Sequence, residues 1–164
     1  MRFLRATHPY LWTVQGWLYL AVVLDLYSRK VVGWALSNRL TALVVKDALS
    51  MAYWRRKPEK GIIHHSDRGS QYAGGDYQKM LDQYGMICSM SRKGDCWDNA
   101  VVESFFHSLK TEWIADIIYK TRDEARADVI NYIEMFYNSR RLHSFLVNKN
   151  PNSFENNSFL AIVD

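Results

Sequence analysis

The chain is poor in cysteine: its 164 residues hold only Cys88 and Cys96. Two thiols without Cys-x-x-Cys spacing cannot make a disulfide framework, so both are expected reduced. A zinc site drawing on them with His64 and His65 is disfavoured by the ligand spacing. Long apolar runs are missing too. The longest, Trp17 to Leu24, is strand-length, well short of the roughly 18 residues of a membrane span. No Pro/Gly-rich linker, internal repeat or low-complexity tract divides the sequence. A basic segment leading into an apolar stretch and a small-residue cleavage site is not found at the N-terminus, so a cytoplasmic protein is expected. One further scarcity matters more: no acidic residue precedes Asp25.

What is present suits one soluble globular domain with a substantial core. Hydrophobic residues make up 48% of the chain and charged residues 23%, ordinary proportions for that class. The net charge is +4, with a sequence pI near 9.1. This permits a polyanionic partner without requiring one. The basic residues cluster as Arg55-Arg56-Lys57, Arg92-Lys93 and Arg140-Arg141, at the ends of expected elements. Such clusters are more often solvated surface than binding site.

Gly16 to Leu24 is rich in aromatic and branched residues and reads as a buried strand. Asp25 to Arg29 has turn chemistry, and Lys30 to Leu36 returns as a second strand, which makes a hairpin. Thr41 caps a helix to about Trp54. Gly61 to Ser66 is a short strand whose end delivers Asp67. Asp76 opens a short helix stopped by Gly85, and Met86 to Met90 is another strand. Ser91 to Asp98 reads as a loop, with Asp98 or Asn99 capping the helix that follows. On that helix Val102, Phe105, Phe106, Leu109 and Trp113 form a core-facing stripe. Asn99, Glu103, His107 and Lys110 fall on a neighbouring polar stripe. Thr121 to Glu124 is a capping box that starts a last helix through Phe136. The order predicts an α/β fold, a mixed sheet flanked by helices.

Asp67 and Glu103 are the residues with chemical promise. Asp67 follows a buried strand, where open α/β sheets place ligand-binding groups. Glu103 lies one turn into a helix held by its apolar stripe. Residues 68 to 102 separate them, a gap of 35. Two converging carboxylates suit Mg²⁺, a hard ion that prefers oxygen ligands. Two such ions about 3.5–4 Å apart can activate an attacking oxygen and stabilise a departing one in phosphodiester chemistry. The plainer alternative is that Asp67 starts a turn and Glu103 favours a helix N-terminus.

The surrounding words decide between them. His64-His65-Ser66-Asp67-Arg68-Gly69-Ser70-Gln71-Tyr72 resembles the second-aspartate motif of bacterial insertion-sequence transposases. Ser89 to Phe106, with Lys93, Trp97, Asn99 and Glu103, resembles their glutamate motif, and the 35-residue gap matches. Gly16 to Trp34 resembles the strand pair after their first catalytic strand. Tyr132 to Phe145 resembles their terminal helix with its Tyr-Asn-x-Arg-Arg-x-His-Ser signature. The sequence is similar to the insertion-sequence-three transposases, whose core is most like that of retroviral integrases.

That resemblance implies an RNase H-like fold and a DDE-type enzyme that cuts and joins DNA with Mg²⁺ or Mn²⁺. Asp67 and Glu103 would be its second and third carboxylates and its metal ligands. Arg68, Arg92, Lys93, Asn99 and Lys110 would contact DNA. Trp97 reads as an aromatic lid on the mobile loop rather than a base-stacking ring, and His64 as a support for Asp67. The partners implied are transposon ends, target DNA and a second copy of the chain, at the bacterial nucleoid and away from membranes.

The first aspartate of the triad does not appear. Aligning Tyr10 with the family's opening-strand tyrosine puts Thr7 at the aspartate position and Pro9 at the following threonine. Asp25 is the only nearby acid, and it resembles the residue that opens the hairpin turn, outside the metal site. Residues 1–15 are therefore expected as a degenerate or truncated opening strand, 16–145 as the catalytic core and 146–164 as a C-terminal tail. A scrambled or prematurely started N-terminus would account for the gap, and for the absent upstream DNA-recognition region. Three functions stay open: a transposase core of reduced activity, a non-catalytic DNA-binding remnant that modulates intact transposase by co-assembly, and a nuclease for RNA–DNA hybrids.

Overall fold

A computed structural model describes residues 3–7, 10–66, 72, 74–90 and 96–160, without the side chains of 3–7, 90, 96–99 and 158–160. Six strands form one sheet. The long strand β3 (Gly16–Asp25) is its organiser. On one side it pairs antiparallel with β4 (Val31–Ser37), the expected hairpin. On the other side it pairs antiparallel with β1 (Phe3–Thr7) and then β2 (Tyr10–Thr13), which follow one another along the same flank. Two further strands, β5 (Ile63–Ser66) and β6 (Ile87–Met90), add in parallel beyond β1. Within the segment expected as a degenerate opening strand, β1 and β2 both pair with β3. Pro9 lies outside the described residues.

Residues of β3 alternate between two cores, as a strand buried on both faces must. Leu18, Leu20, Val22 and Leu24 pack with Val102, Phe105 and Leu109 of α3 (Cys96–Ser108 and the turn after it). Val129, Tyr132 and Ile133 from α4 (Arg122–Asn131) and its continuation complete that side. Ala21 and Val23 face the opposite core, with Val44, Val45, Ala48 and Ala52 of α1 (Ala42–Arg56). Tyr77 and Leu81 of α2 (Gly75–Gln83) join them. Both α3 and α4 end in a turn of π-helical hydrogen bonding, Leu109–Ile114 and Tyr132–Tyr137.

Helix boundaries differ from expectation in two places. Asp98 does not open α3, since the helix already begins at Cys96. Residues 146–164, expected as a tail, contain α5 (Pro151–Leu160). It is held by Phe154 against Tyr27, ring centroids 5.3 Å apart, and by the buried Glu155, which pairs with Arg56 and with Lys30. None of the helices is long and apolar enough to cross a membrane among the described residues.

Candidate active site

Three parallel strands end together. Ala6 is the register partner of Ser66, and Ser66 of Met90. Thr7 ends β1 one residue past this paired row, on a strand that runs about 4.8 Å from β5. Thr7 is also the register partner of Val22, a member of the core beneath α3. Asp67, Arg68, Arg92 and Lys93 lie outside the described residues, as does the side chain of Asn99.

The buried stripe on α3 turns its polar stripe outward, so Glu103, His107 and Lys110 are exposed. The helix packs on β1, Lys110 Nζ reaches 5.8 Å from the Tyr10 ring centre, and Tyr119 bridges to Thr13 at the end of β2. Helix and strand flank therefore run in the same sense. Glu103 precedes Lys110 by two turns, roughly 10 Å of axial rise. Thr7 and Tyr10 pair with Val22 and Tyr19, three residues or roughly 10 Å apart on β3. The matched steps carry Glu103 back toward the β1 end. Its carboxylate has no ion pair or hydrogen bond among the described residues, unlike Asp25, Glu112, Glu134 and Glu155. An exposed carboxylate with no partner among the described residues suits a hard cation.

Asp25 sits elsewhere. Its register partner is Leu4, at the far end of β1 from Thr7. It is buried, accepts bonds from the backbone N–H of Tyr27 at 2.9 Å and Ser28 at 3.4 Å, and pairs with Arg56 at 3.4 Å. Turn formation and an ion pair consume both its oxygens.

The comparisons give the family and the fold. Models of the integrase core domain match residues 6–96 and 103–159. This chain belongs to the integrase core family. Over 147 residues it is 54% identical to the transposase InsF for insertion sequence IS3A of Escherichia coli K12, covering 90% of the chain and 51% of that relative. Identity is 47% to the IS904 transposase of Lactococcus lactis, covering 89% of the chain and 58% of the relative. The chain thus spans about half the length of these curated relatives. Among solved structures, the magnesium-bound, trimeric HTLV-2 integrase catalytic core superposes with a TM-score of 0.69 at 14% identity, covering 93% of this chain and 94% of that one. The BIV integrase catalytic core gives 0.65 at 14%, covering 99% and 98%. The fold of this integrase core is RNase H-like.

His64, read from the sequence as a support for Asp67, is fully buried in β5, and its Nε2 meets the Tyr77 hydroxyl at 2.8 Å. Burial, helped by the neighbouring His65 charge, pushes its pKa down to about 3. The unfolded chain takes up this proton near pH 6.5 while the folded chain refuses it until about pH 3, so stability falls as pH drops through that window. From pH 7 to pH 5 we expect a loss of about 2 kcal/mol from His64. Urea titrations at the two pH values measure it, and His64→Gln should remove most of the difference. An equally steep dependence in the variant would assign the proton uptake to another group.

Two members of the site's surroundings escaped the sequence reading. In the sequence Arg29 is only a turn residue, and His143 only a letter of the terminal signature. Both converge on a cleft beside α3, and the only sequence signal was the signature itself.

Proposed function

We propose that this chain is the catalytic core of a metal-dependent polynucleotidyl transferase that cuts and joins DNA phosphodiesters, and that this copy is nearly inactive. The observation that carries it is the parallel register Ala6↔Ser66, with α3 packed over the flank of β1. It supports a single site made from position 7, Asp67 and Glu103. In the family pattern all three are carboxylates. Here Asp67 and Glu103 would hold a divalent ion, Mg²⁺ or Mn²⁺, and Thr7 would offer a neutral hydroxyl, a poor ligand for it. Such ions, when bound, activate the attacking oxygen and stabilise the leaving one. The chain's own contribution is to fix the carboxylates on rigid elements and to hold DNA with Arg68, Arg92, Lys93, Asn99 and Lys110.

Isothermal titration of Mn²⁺ into the protein tests the metal reading. Weak binding is expected in the unmodified chain, and Glu103→Gln should abolish it. Equal binding by the variant would remove Glu103 from the site.

The DNA partner is tested by salt. Binding to duplex DNA should weaken steeply as salt rises, because each phosphate contact releases condensed counterions. Lys110→Ala should lower the salt slope by about 1 if that lysine touches a phosphate. Affinity that stays flat between low and physiological salt would exclude a backbone-binding surface. The second reading, a DNA-binding remnant acting on intact transposase through co-assembly, is favoured by Thr7 alone. It requires DNA binding and homo-oligomer formation to survive without any metal-dependent cleavage.

A further inference from the structure

The signature Tyr137-Asn138-Ser139-Arg140-Arg141-Leu142-His143-Ser144 divides into two jobs. Asn138 is structural: it is buried, its Oδ1 accepts from the Val31 N–H at 2.9 Å and its Nδ2 donates to the Val31 carbonyl at 3.0 Å. Arg141 clamps Glu112 with two bonds, at 2.8 and 2.6 Å. The remainder lines a cleft of about 520 Å³ against α3, shared by Ser104, Arg29, Tyr137, Arg141, His143 and Ser144.

None of the described residues that line this cleft is acidic. Arg29 is held there with φ 60°, its guanidinium 3.9 Å from the centre of the Phe145 ring. It has no carboxylate partner among the described residues, and its Nε is buried without a hydrogen bond. His143 Nδ1 lies 3.4 Å from an Arg141 nitrogen, while Nε2 is buried and unbonded. An uncompensated, partly desolvated cation beside idle donors is costly. An anion with several acceptor oxygens would relieve every one of these deficits.

We propose that this cleft is a phosphate-binding site, which seats a phosphodiester of the DNA strand alongside α3. The site is read from the cleft itself, and only the source of the phosphate rests on the proposed function. Ser104, which lines the cleft, is the next residue after Glu103. A phosphate held here would therefore fix the strand's register against the carboxylates, since phosphate contacts position without reading sequence.

His143 reports on occupancy. Burial and the charges of Arg141 and Arg29 push its pKa down to about 4, opposed among the described residues by Glu112, and Tyr137 also lines the cleft. A bound phosphate reverses the sign of the local field. The experiment follows the His143 imidazole by NMR through a pH titration of the whole chain. It is run alone, with inorganic phosphate and with a short DNA oligonucleotide.

The expected result is a pKa raised by roughly one unit or more with either probe. Arg29→Gln should abolish the rise and weaken oligonucleotide binding roughly tenfold, whereas Arg29→Lys should largely retain both. A shift with inorganic phosphate alone would keep the site and overturn DNA as its occupant. Oligonucleotide binding with no His143 shift, unaltered by Arg29→Gln, would overturn the site and leave DNA binding intact. The titration of the unmodified chain decides the matter even if Arg29→Gln does not fold.

Discussion

Thr7→Asp is expected to raise Mg²⁺- or Mn²⁺-dependent strand cleavage by roughly 10²-fold over the unmodified chain, which itself should stay near background. The position follows from register. Thr7 ends β1, beside the strand that runs into Asp67 and opposite Val22 of the core below α3. A carboxylate there would complete an oxygen cage for a hard cation. Metal binding should tighten before the rate rises, because in-line displacement needs both ions in place. The rescue should be partial, since His8 and Pro9 also depart from the family's opening word. Calorimetry with Mn²⁺ and nicking of duplex DNA measure the two stages. Cleavage by the unmodified chain as fast as by the variant would show that the first carboxylate lies elsewhere. Asp25 is a poor candidate for it, being buried, paired with Arg56 and at the other end of β1.

Gly33→Val is expected to destabilise the fold by about 3 kcal/mol or more, and Gly33→Ala by somewhat less. Here β4 passes directly under α1. A Cβ on Gly33 would sit 2.1 Å from the Ala48 carbonyl oxygen and 2.7 Å from the Ala52 nitrogen. Both are backbone atoms of a helix, so no rotamer change can make room, and strand and helix must separate. Alanines at positions 48 and 52 belong to the same close approach, and both are buried. Gly75→Ala is the control, since nothing lies within 4 Å of its would-be Cβ. It should be neutral or slightly stabilising by reducing the freedom of the unfolded chain. Urea denaturation of the three variants gives the comparison. A Gly33→Ala protein as stable as the parent would mean that α1 does not pack so closely.

Elements whose signal is local are legible in the sequence. The β3–β4 hairpin follows from two apolar runs around a turn. The capping box is present in both directions, with Glu124 N–H donating to Thr121 Oγ1 at 3.1 Å and the Thr121 N–H to Glu124 at 3.2 Å. The stripe on α3 buries Val102, Phe105 and Leu109 as its spacing requires. Less legible was β1, whose outer neighbours are supplied by residues some 20 and 60 positions away along the chain. The helix α5 was missed because Pro151-Asn152-Ser153-Phe154-Glu155-Asn156-Asn157 is polar and lacks helical periodicity. Its anchors, Tyr27, Lys30 and Arg56, lie in distant turns and elements.

The sequence by itself determined the family, the α/β class and the identities of Asp67, Glu103 and Thr7 as the residues at issue. Motif words and short-period patterns carry that information within a few turns of chain. Only the tertiary structure decided that Asp25 is committed to a turn and an ion pair, that Thr7 ends a strand paired in parallel with β5, and that Arg29 meets His143 in one cleft. Each of these depends on register or packing between distant segments. The free energy of such contacts is settled by burial and charge compensation across the whole core, which no local pattern encodes.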